Sequence, residues 1–503
     1  MFASPSRSRH DLTHVGGLCA LLACGALLHL LQLHAPFGFG EGNAGSYFAC
    51  VAKGYRDIGF FALRGSPFVP DLYGGLEPYL HHPPGGFWLA AMFGADEAGL
   101  RGTTLLAHLV ATVALVELLR PSLGSLRALL AGAVFLVLPV FYIDIQASQW
   151  PFTIAFGLLM LLGYERQKTS SSRGWRALTL VMALLGPWAD WHFGFFCLAL
   201  VPLTELRAPG LRRLAFAWGL SGVSLLLFLL WRQWAAQAPI WSHPGAGISN
   251  AGLVQGTILS RPPFLDQLRG MASCSNRALT LPVLAGLVLG LPSLLRRAPR
   301  LTAALVVAGL LGSLLFGNHV LTHTDFPSML GALAAASASA MLLRHRAGGV
   351  LGVVVLAAAG WQAYTRVRQA RTAFFRDYGR AATAATHEVQ PDGSERRYVV
   401  ASDLSWGYRY YVDSSDFLIL PLVDPAVLEQ NREALARMGK GVRYLRLRFG
   451  GRVGERMQRF PDLDAYLARF PSRRLPELEQ SFEVDGELGA LRVAEARLVT
   501  IEP

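Results

Sequence analysis

Two carboxylates lie where the chain could use them for chemistry. Glu41 stands among glycines in FGFGEGNAGSYFA, just after the first long apolar run, and Asp144 follows a later apolar run in FYIDIQ. A carboxylate can act as a general base on a hydroxyl acceptor while a phosphate leaves toward fixed cations. The candidate cations are Lys53 and Arg56 in the loop after Glu41 and Arg101 at the mouth of the next apolar run. These residue types predict transfer of a group to a hydroxyl.

The same positions also have purely structural interpretations. Glu41 could be a solvated loop acid, and Asp144 could cap a helix, because another apolar run opens shortly after it. Arg101 could snorkel to lipid headgroups. The histidines of HHPP (His81 and His82) could mark a rigid loop corner, because paired prolines fix the backbone. Both interpretations of each residue stay open at this point.

Two short pairs of histidine and aspartate could hold a metal. They are Asp190 with His192 and His323 with Asp325, each separated by one residue. Carboxylate and imidazole suit several divalent ions, but the two loops would have to converge. The sequence indicates no certain cofactor, but it allows a divalent metal with these four residues as its candidate ligands.

The composition places this chemistry in a membrane. The chain has 503 residues, of which 52% are hydrophobic and 16% are charged, and its mean hydropathy is +0.35. These values are typical of polytopic membrane proteins. The net charge of +12 comes mainly from Lys and Arg before about Tyr364, where loop charges fix orientation. We therefore expect membrane lipids as partners and no nucleic acid.

The apolar segments predict about eleven transmembrane helices, because each is long enough, or nearly so, to cross about 30 Å of hydrocarbon. The first segment is interpreted as a retained span and not as a signal peptide. The pair around Asp190 could instead form a broken or re-entrant helix. The segments lie near residues 15–33, 103–119, 128–143, 151–164, 177–189, 193–206, 214–234, 279–295, 301–317, 326–343 and 349–364.

Positive charge predicts which way the loops face. With the N-terminus in the cytoplasm, every predicted inner loop is basic, whereas the short outer loops near 144–150, 188–194 and 317–325 contain no Lys or Arg. The acids and histidines in apolar context then fall on the outer side. Since ionisable groups at membrane depth usually line a cavity, the pattern predicts a water-filled outer cavity. Its front wall would be the large first outer loop, residues 34–102.

The chain changes character after the last span. Residues 1–365 predict the membrane domain, and residues 366–503 have the composition of a soluble domain. Strand patterns alternate with helical ones there, which predicts a small extracytoplasmic α/β domain. It contains neither a phosphate-binding glycine loop nor a nucleophile elbow, which favours a substrate-capture or lid role. The patterns lie at Arg397–Ser402, Asp416–Leu420, Pro425–Met438, Val442–Arg448, Leu463–Phe470, Ser481–Val484 and Leu491–Glu495.

The order of several residues resembles the GT-C membrane glycosyltransferases. Within that superfamily the chain is similar to the branch of family 39, dolichyl-phosphate-mannose protein mannosyltransferase-like and aminoarabinose-transferase-like enzymes. The resemblance covers roughly Phe37–Leu206 well and Asn318–Leu343 loosely. The matching residues are Gly40-Glu41-Gly42, Tyr47, Gly59, His82-Pro83-Pro84, Phe93-Gly94, Glu97, Arg101 and the late His323.

This resemblance implies a polyprenyl-phosphate sugar as donor and inverting transfer on the extracytoplasmic side. The family's first-loop base maps onto Glu41, where members commonly carry Asp-Glu and this chain has Gly40-Glu41. The family's second acid maps onto Asp144. The residues expected to bind substrate or its phosphate are Arg101, His82, Lys53, Arg56, Tyr47, Asp190 and His323.

Other functions remain open. A multi-span transporter or lipid flippase would also carry charges at membrane depth, but would more often show two related halves, and no such internal similarity stands out. A noncatalytic scaffold explains the spans but not the one-sided acids and histidines. The acceptor could be a lipid, a glycan or a protein. The Ala-, Gly-, Leu- and Arg-rich composition favours a bacterial inner membrane, with the first loop and the C-terminal domain in the periplasm.

Overall fold

The chain forms two compact units, which we describe separately. The first unit contains Met1–His34, Tyr55–Pro67 and Pro78–Thr365, and the second contains Ala35–Gly54, Phe68–Glu77 and Arg366–Pro503. The computed structural model describes residues 5–30, 33, 49, 51–56, 58–65, 68–70, 76–78, 83–94, 96–143, 149–170, 172–236, 263–315, 326–342, 348–370, 374–389, 391–402, 425–426, 428–429, 432, 441–450, 461–479, 481–483 and 490–501.

The first unit is a bundle of helices, and each predicted apolar segment overlaps at least one of them. The sequence did not predict the helices Gly85–Phe93 and Phe264–Leu279. The helices are α1 (Pro5–Leu30), α2 (Gly85–Phe93), α3 (Glu97–Leu123), α4 (Ser125–Leu136), α5 (Val140–Ile143), α6 (Trp150–Arg166), α7 (Arg173–Ala189), α8 (Phe193–Leu203), α9 (Ala208–Ala236), α10 (Phe264–Leu279), α11 (Leu281–Arg297), α12 (Pro299–Leu315), α13 (Gly331–Leu342, after a 3-10 turn at Phe326–Leu330) and α14 (Gly348–Ala370).

The helices are apolar, as expected of an integral membrane protein. Among the described residues, three stretches are long and apolar enough to cross a membrane: Leu12–Leu30, Glu97–Leu123 and Ala208–Ala235. The bent pair Phe264–Asn276 and Leu281–Arg297 would make a fourth, and further apolar helices are shorter. The predicted helical fold class is confirmed, whereas the number of about eleven spans stays a prediction.

Helix α3 is the central helix of the bundle. It packs against α1, α2, α4, α6 and α13, and 67% of its most apolar window is buried, against 17% for α1 and for α9. It begins earlier than its apolar pattern predicts, because the Asp96 carboxylate accepts a hydrogen bond from the Gly99 amide at 2.7 Å. Gly94 before it has φ 128°, which makes the α2–α3 turn tight.

A cluster at the far end of α3 ties three helices together. The Glu117 carboxylate contacts His14 of α1 and Arg166 of α6, each at 2.8 Å. Glu117 and Arg166 stand near the C-terminal ends of two helices that pack along each other, so α3 and α6 are parallel. Their N-termini, with Arg101 and Trp150, therefore share the opposite end. We call the two ends of the bundle the Arg101 end and the Glu117 end.

Helices α11 and α13 meet along small residues. Gly286 of α11 lies against Ala338 of α13, and a Cβ added at Gly290 would overlap the backbone carbonyl oxygen of Ser337. Small residues at such contacts allow two helix backbones to approach closely in a membrane, where van der Waals packing drives association. We call this contact the small-residue seam.

The second unit is built around a mixed sheet. In sheet order its strands are β3 (His387–Val389), β4 (Glu395–Ser402), β5 (Gly441–Gly450), β8 (Ala490–Ile501) and β6 (Ser472–Arg474), with β7 (Ser481–Glu483) also paired to β8. Strands β4 and β5 are parallel, and the other pairs are antiparallel. One face is covered by a core that includes Tyr444, Leu463 and Val499. The elements are α15 (Phe374–Ala385), β3 (His387–Val389), β4 (Glu395–Ser402), β5 (Gly441–Gly450), α16 (Pro461–Leu467), β6 (Ser472–Arg474), β7 (Ser481–Glu483) and β8 (Ala490–Ile501), beside a separate pair β1 (Phe68–Pro70) and β2 (Leu76–Pro78).

The sequence predicted most of this sheet. Strands β4, β5, β7 and β8 lie where strand patterns were found, and the predicted C-terminal sheet is confirmed. Strands β3 and β6 were missed because every residue in them is exposed, so neither shows an apolar pattern. The predicted strand at Asp416–Leu420 lies outside the described residues.

The small-residue seam gives a first testable prediction. Gly290→Ala should lower the free energy of unfolding by about 1–3 kcal/mol, because the added methyl group forces the two helix backbones apart. Gly219→Ala is the matched control, since nothing lies within 4 Å of its Cβ position. The control should leave stability unchanged or raise it by up to about 1 kcal/mol. Thermal unfolding in detergent measures both, and equal melting temperatures for the two variants would contradict the prediction.

Candidate active site

Arg101 lies in the first turn of α3 and is fully buried. Its Nη1 donates a hydrogen bond to the backbone carbonyl of Leu33 at 3.2 Å. A snorkelling arginine would instead extend along the surface toward headgroups. The interpretation of Arg101 as a headgroup anchor is therefore wrong, and the guanidinium is a cation held inside the bundle.

The buried face of α3 continues from Arg101 with further polar groups that the sequence analysis missed. Thr104 and His108 follow at helical spacing and are buried. The His108 Nδ1 lies 3.3 Å from the Nε2 of His29 on α1, and its ring stacks on Phe141 at 3.7 Å. The spacing of Arg101, Thr104 and His108 was the available signal, but the flanking apolar residues hid it.

The segment Pro83–Gly86 packs directly against the end of α7. Pro83 and Pro84 are buried, and a Cβ added at Gly85 would stand 2.6 Å from the carbonyl oxygen of Trp188. Only glycine fits this approach without a shift. This first-loop segment therefore contacts Trp188, which precedes Asp190 by two residues.

The turn between α7 and α8 holds a carboxylate–imidazole pair. The Asp190 Oδ1 accepts hydrogen bonds from the backbone amide of His192, at 2.9 Å, and from its ring Nδ1. The Gln149 Nε2 donates to the other carboxylate oxygen at 3.2 Å, and Trp150 lies 4.2 Å from the His192 ring. Asp190 and His192 are both buried. A carboxylate bonded to Nδ1 fixes the tautomer and leaves the lone pair on Nε2.

Arg101 and this pair share one end of the bundle. Gln149 and Trp150 stand at the N-terminus of α6, which is parallel to α3, and Gln149 contacts Asp190. Of the acids and histidines predicted to lie together, the structure describes Asp190 and His192, and both lie at the Arg101 end. The predicted outer cavity stays a prediction. Gln149 was missed by the sequence analysis because a neutral amide in a polar loop carries no distinctive signal.

Aromatic rings connect the first loop to the bundle near the same turn. The ring centroid of Trp88 on α2 lies 5.4 Å from that of Trp188 on α7 and 5.8 Å from that of Trp231 on α9. The backbone carbonyl of Gly65 accepts hydrogen bonds from Trp88 Nε1 at 2.7 Å and from the Tyr55 hydroxyl at 2.8 Å. Burial raises the pKa of Tyr55 far above its ordinary value, so this hydroxyl keeps its proton and stays a donor.

The structure describes only some of the remaining predicted site residues. Lys53 and Arg56 lie on the helical residues 51–56, where the chain passes from the second unit to the first. The others lie outside the described residues: Glu41, Tyr47, His81, His82, Asp144, His323 and Asp325.

The metal prediction is tested only in part. No group of three or more His, Cys, Asp or Glu side chains converges within the part of the chain that the structure describes. Asp190 and His192 would supply two ligands, and the hydrogen bonds on both Asp190 oxygens suit a carboxylate that orients the imidazole. The metal stays a prediction.

The fold is that of solved membrane glycosyltransferases. ArnT from Cupriavidus metallidurans bound to undecaprenyl phosphate superposes with a TM-score of 0.61 at 14% identity, over 99% of this chain and 98% of its own. Its apo state gives 0.61 at 13% identity, over 97% and 98%. The Archaeoglobus fulgidus oligosaccharyltransferase tethered with an acceptor peptide gives 0.52 at 13%, over 86% and 69%. No family model and no curated protein matches the sequence.

Both neighbours belong to the GT-C superfamily, and the chain has the GT-C fold. The resemblance predicted from the Glu41, HPP and FG…E…R motifs is confirmed at the level of the fold. Identities of 13–14% carry no further than that.

The Gly65 carbonyl, which accepts two hydrogen bonds, gives a second prediction. Tyr55→Phe and Trp88→Phe should each lower the free energy of unfolding by about 0.5–1.5 kcal/mol. The double variant should lose more than the sum, because it leaves a buried carbonyl without either donor. Chemical or thermal unfolding of the four proteins measures this coupling.

A tryptophan control accompanies that cycle. Trp361→Phe changes an exposed ring on α14 and should be neutral within about 0.5 kcal/mol. Strict additivity of Tyr55→Phe and Trp88→Phe would show that the two donors do not act on one carbonyl.

Proposed function

We propose that the protein is a membrane glycosyltransferase that moves a sugar from a polyprenyl-phosphate donor to a hydroxyl acceptor on the extracytoplasmic face. The observation that carries this proposal is the fold likeness over nearly the whole of both chains to ArnT bound to undecaprenyl phosphate. The buried arginine and the carboxylate–imidazole pair at one end of the bundle support it, since transfer from a phosphate needs fixed polar groups in a site shielded from water. We place that end, and the C-terminal unit, in the periplasm of a bacterial inner membrane.

The reaction is proposed to be a single displacement at the anomeric carbon. The acceptor oxygen forms a bond to that carbon as the bond from carbon to the phosphate oxygen breaks. Glu41 takes the hydroxyl proton as general base, and Asp144 is the second catalytic acid. Attack from the side opposite the leaving phosphate inverts the anomeric configuration. The electron pair and the charge leave with the polyprenyl phosphate.

Arg101 is proposed to stabilise the leaving phosphate. Its guanidinium is fixed by burial and by the hydrogen bond to Leu33, so it needs no reorganisation when charge develops. Electrostatic attraction is also stronger among apolar helices than in water. Lys53, Arg56 and His82 would complete the phosphate site from the first loop.

The pair at the α7–α8 turn is proposed to act through its imidazole. Asp190 orients His192 and does not need to touch the substrate itself, which refines its predicted role as a binding residue. His192 would present Nε2 to the donor or to a divalent metal. Tyr47 and His323 are proposed to line the same cavity.

Transfer of radiolabelled sugar tests the proposal. Membranes carrying the wild-type chain are offered a small panel of polyprenyl-phosphate sugars, and label should move from at least one donor to an acceptor. Glu41→Gln should abolish transfer with folded protein intact, because the amide cannot accept the proton. The control is Glu165→Gln, which alters an acid paired with Lys168 at the Glu117 end and should keep wild-type activity.

Two outcomes would count against the proposal. An active Glu41→Gln variant would show that Glu41 is not the general base, but it would leave the proposed reaction class in place. Folded wild-type protein that consumes no donor would instead make the transporter or flippase alternative the leading one.

Arg101 provides a separate prediction. Arg101→Gln should lower the transfer rate by about 10²–10³-fold, the usual loss for one group that stabilises developing negative charge. Arg101→Lys should recover only part of it, since an ammonium cannot reproduce a planar guanidinium. Arg120→Gln, a change at the partly exposed last turn of α3, serves as the control. Rates are compared at equal amounts of folded protein, and an Arg101→Gln variant of normal rate would exclude the role.

A further inference from the structure

A basic cavity lies at the Glu117 end, far from the candidate active site. It has a volume of about 860 Å³ and is formed by the start of α7, the start of α9 and the loop that follows α6. Its walls include Arg173, Arg176, Arg212 and Arg213 and no Asp or Glu. Helix α7 runs from this cavity to Asp190, a distance of about 25 Å at 1.5 Å per residue. The cavity is therefore separate from the proposed reaction.

Two of its arginines are held in place and two are available. Arg213 is paired with Glu205 at 3.7 Å, and the Arg176 guanidinium lies over Phe216 at 5.7 Å. Arg173 and Arg212 are exposed, and neither forms an ion pair with any residue that the structure describes. The cavity thus carries positive charge that the described protein groups do not neutralise.

Neutral donors add to this charge. Ser170 and Ser172 line the cavity, and Ser172 caps α7 by accepting a hydrogen bond from the Gly174 amide at 3.3 Å. Residues at the N-termini of α7 and α9 line the cavity. The partial positive charge of a helix N-terminus favours anions. Arginine forks, hydroxyl groups and helix N-termini together suit the oxygens of a phosphate group.

The cavity lining also includes three apolar side chains, Leu180, Ala215 and Phe216, and Phe216 is 57% exposed. Helix α9 presents many other exposed apolar side chains, such as Leu226 and Leu230, as expected of a lipid-facing helix. Inorganic phosphate would use the basic part only, whereas a phospholipid would use both.

We propose that this cavity binds the phosphate headgroup of an anionic membrane phospholipid, with its acyl chains along the apolar side of α9. Arg173 and Arg212 supply the charge that selects an anionic headgroup over a zwitterionic one, as basic pockets between transmembrane helices do. The site does not depend on the proposed glycosyl transfer, because its ligand is a structural lipid and its test measures binding.

Lipid binding to the purified full chain tests the proposal. Phosphatidylglycerol and phosphatidylcholine with identical acyl chains are titrated in a neutral detergent, with retained lipid counted by native mass spectrometry and the melting temperature followed. Phosphatidylglycerol should bind and raise the melting temperature, and phosphatidylcholine should not. Arg173→Gln with Arg212→Gln should weaken phosphatidylglycerol binding about 30-fold, and Arg212→Gln alone about fivefold.

The matched control removes the same charge from another helix of the bundle. Arg296→Gln with Arg297→Gln alters two exposed arginines at the end of α11 and should keep normal phosphatidylglycerol binding. Equal binding of the two lipids, or equal losses in the two double variants, would overturn the proposal. The proposal would also be overturned if inorganic phosphate alone raised the melting temperature as much as phosphatidylglycerol does, because the site would then bind the free anion.

Discussion

The structure depends on the cost of placing a guanidinium among apolar helices. Removing an ion from water costs several kcal/mol unless hydrogen bonds and other charges compensate. Arg101 is fully buried, so the end of α1 must bring the Leu33 carbonyl to it. The tight α2–α3 turn, with its Asp96 cap, must in turn hold the first turn of α3 at that depth. One buried cation therefore constrains the end of α1, the α2–α3 turn and the start of α3.

The bundle has one cluster of interacting polar side chains at each of its two ends. Glu117, His14 and Arg166 join three helices at one end, while Asp190 and His192 share the other end with Arg101. Between the two ends, buried polar groups that the structure describes, such as the His29 and His108 pair, lie among the apolar helices. Such sorting allows one end to carry chemistry while the other sets helix register and orientation.

The sequence predicted what the apolar pattern controls and missed what depends on contact between distant segments. The helices of the bundle followed from hydropathy, but α2 and α10 did not. Helix α2 follows a proline- and glycine-rich stretch with the composition of a turn, and α10 is too polar to form an apolar run. The pairing of Asp190 with His192 followed from their spacing, whereas the contributions of Gln149 and of the His29 and His108 pair did not. Those contacts join residues far apart in the chain, and a neutral amide or a lone imidazole gives no local signal. The roles of Glu41 and Asp144 stay predictions.

The small-residue seam between α11 and α13 also limits how a long-chain substrate could reach the bundle. At Gly290 the two backbones approach so closely that not even one methyl group fits between them. A polyprenyl tail, which is branched with methyl groups along its length, cannot pass there. Lateral access from the bilayer is thus closed where the two backbones meet at Gly290, and the isoprenoid of the proposed donor would have to enter between helices whose contacts are made by larger side chains.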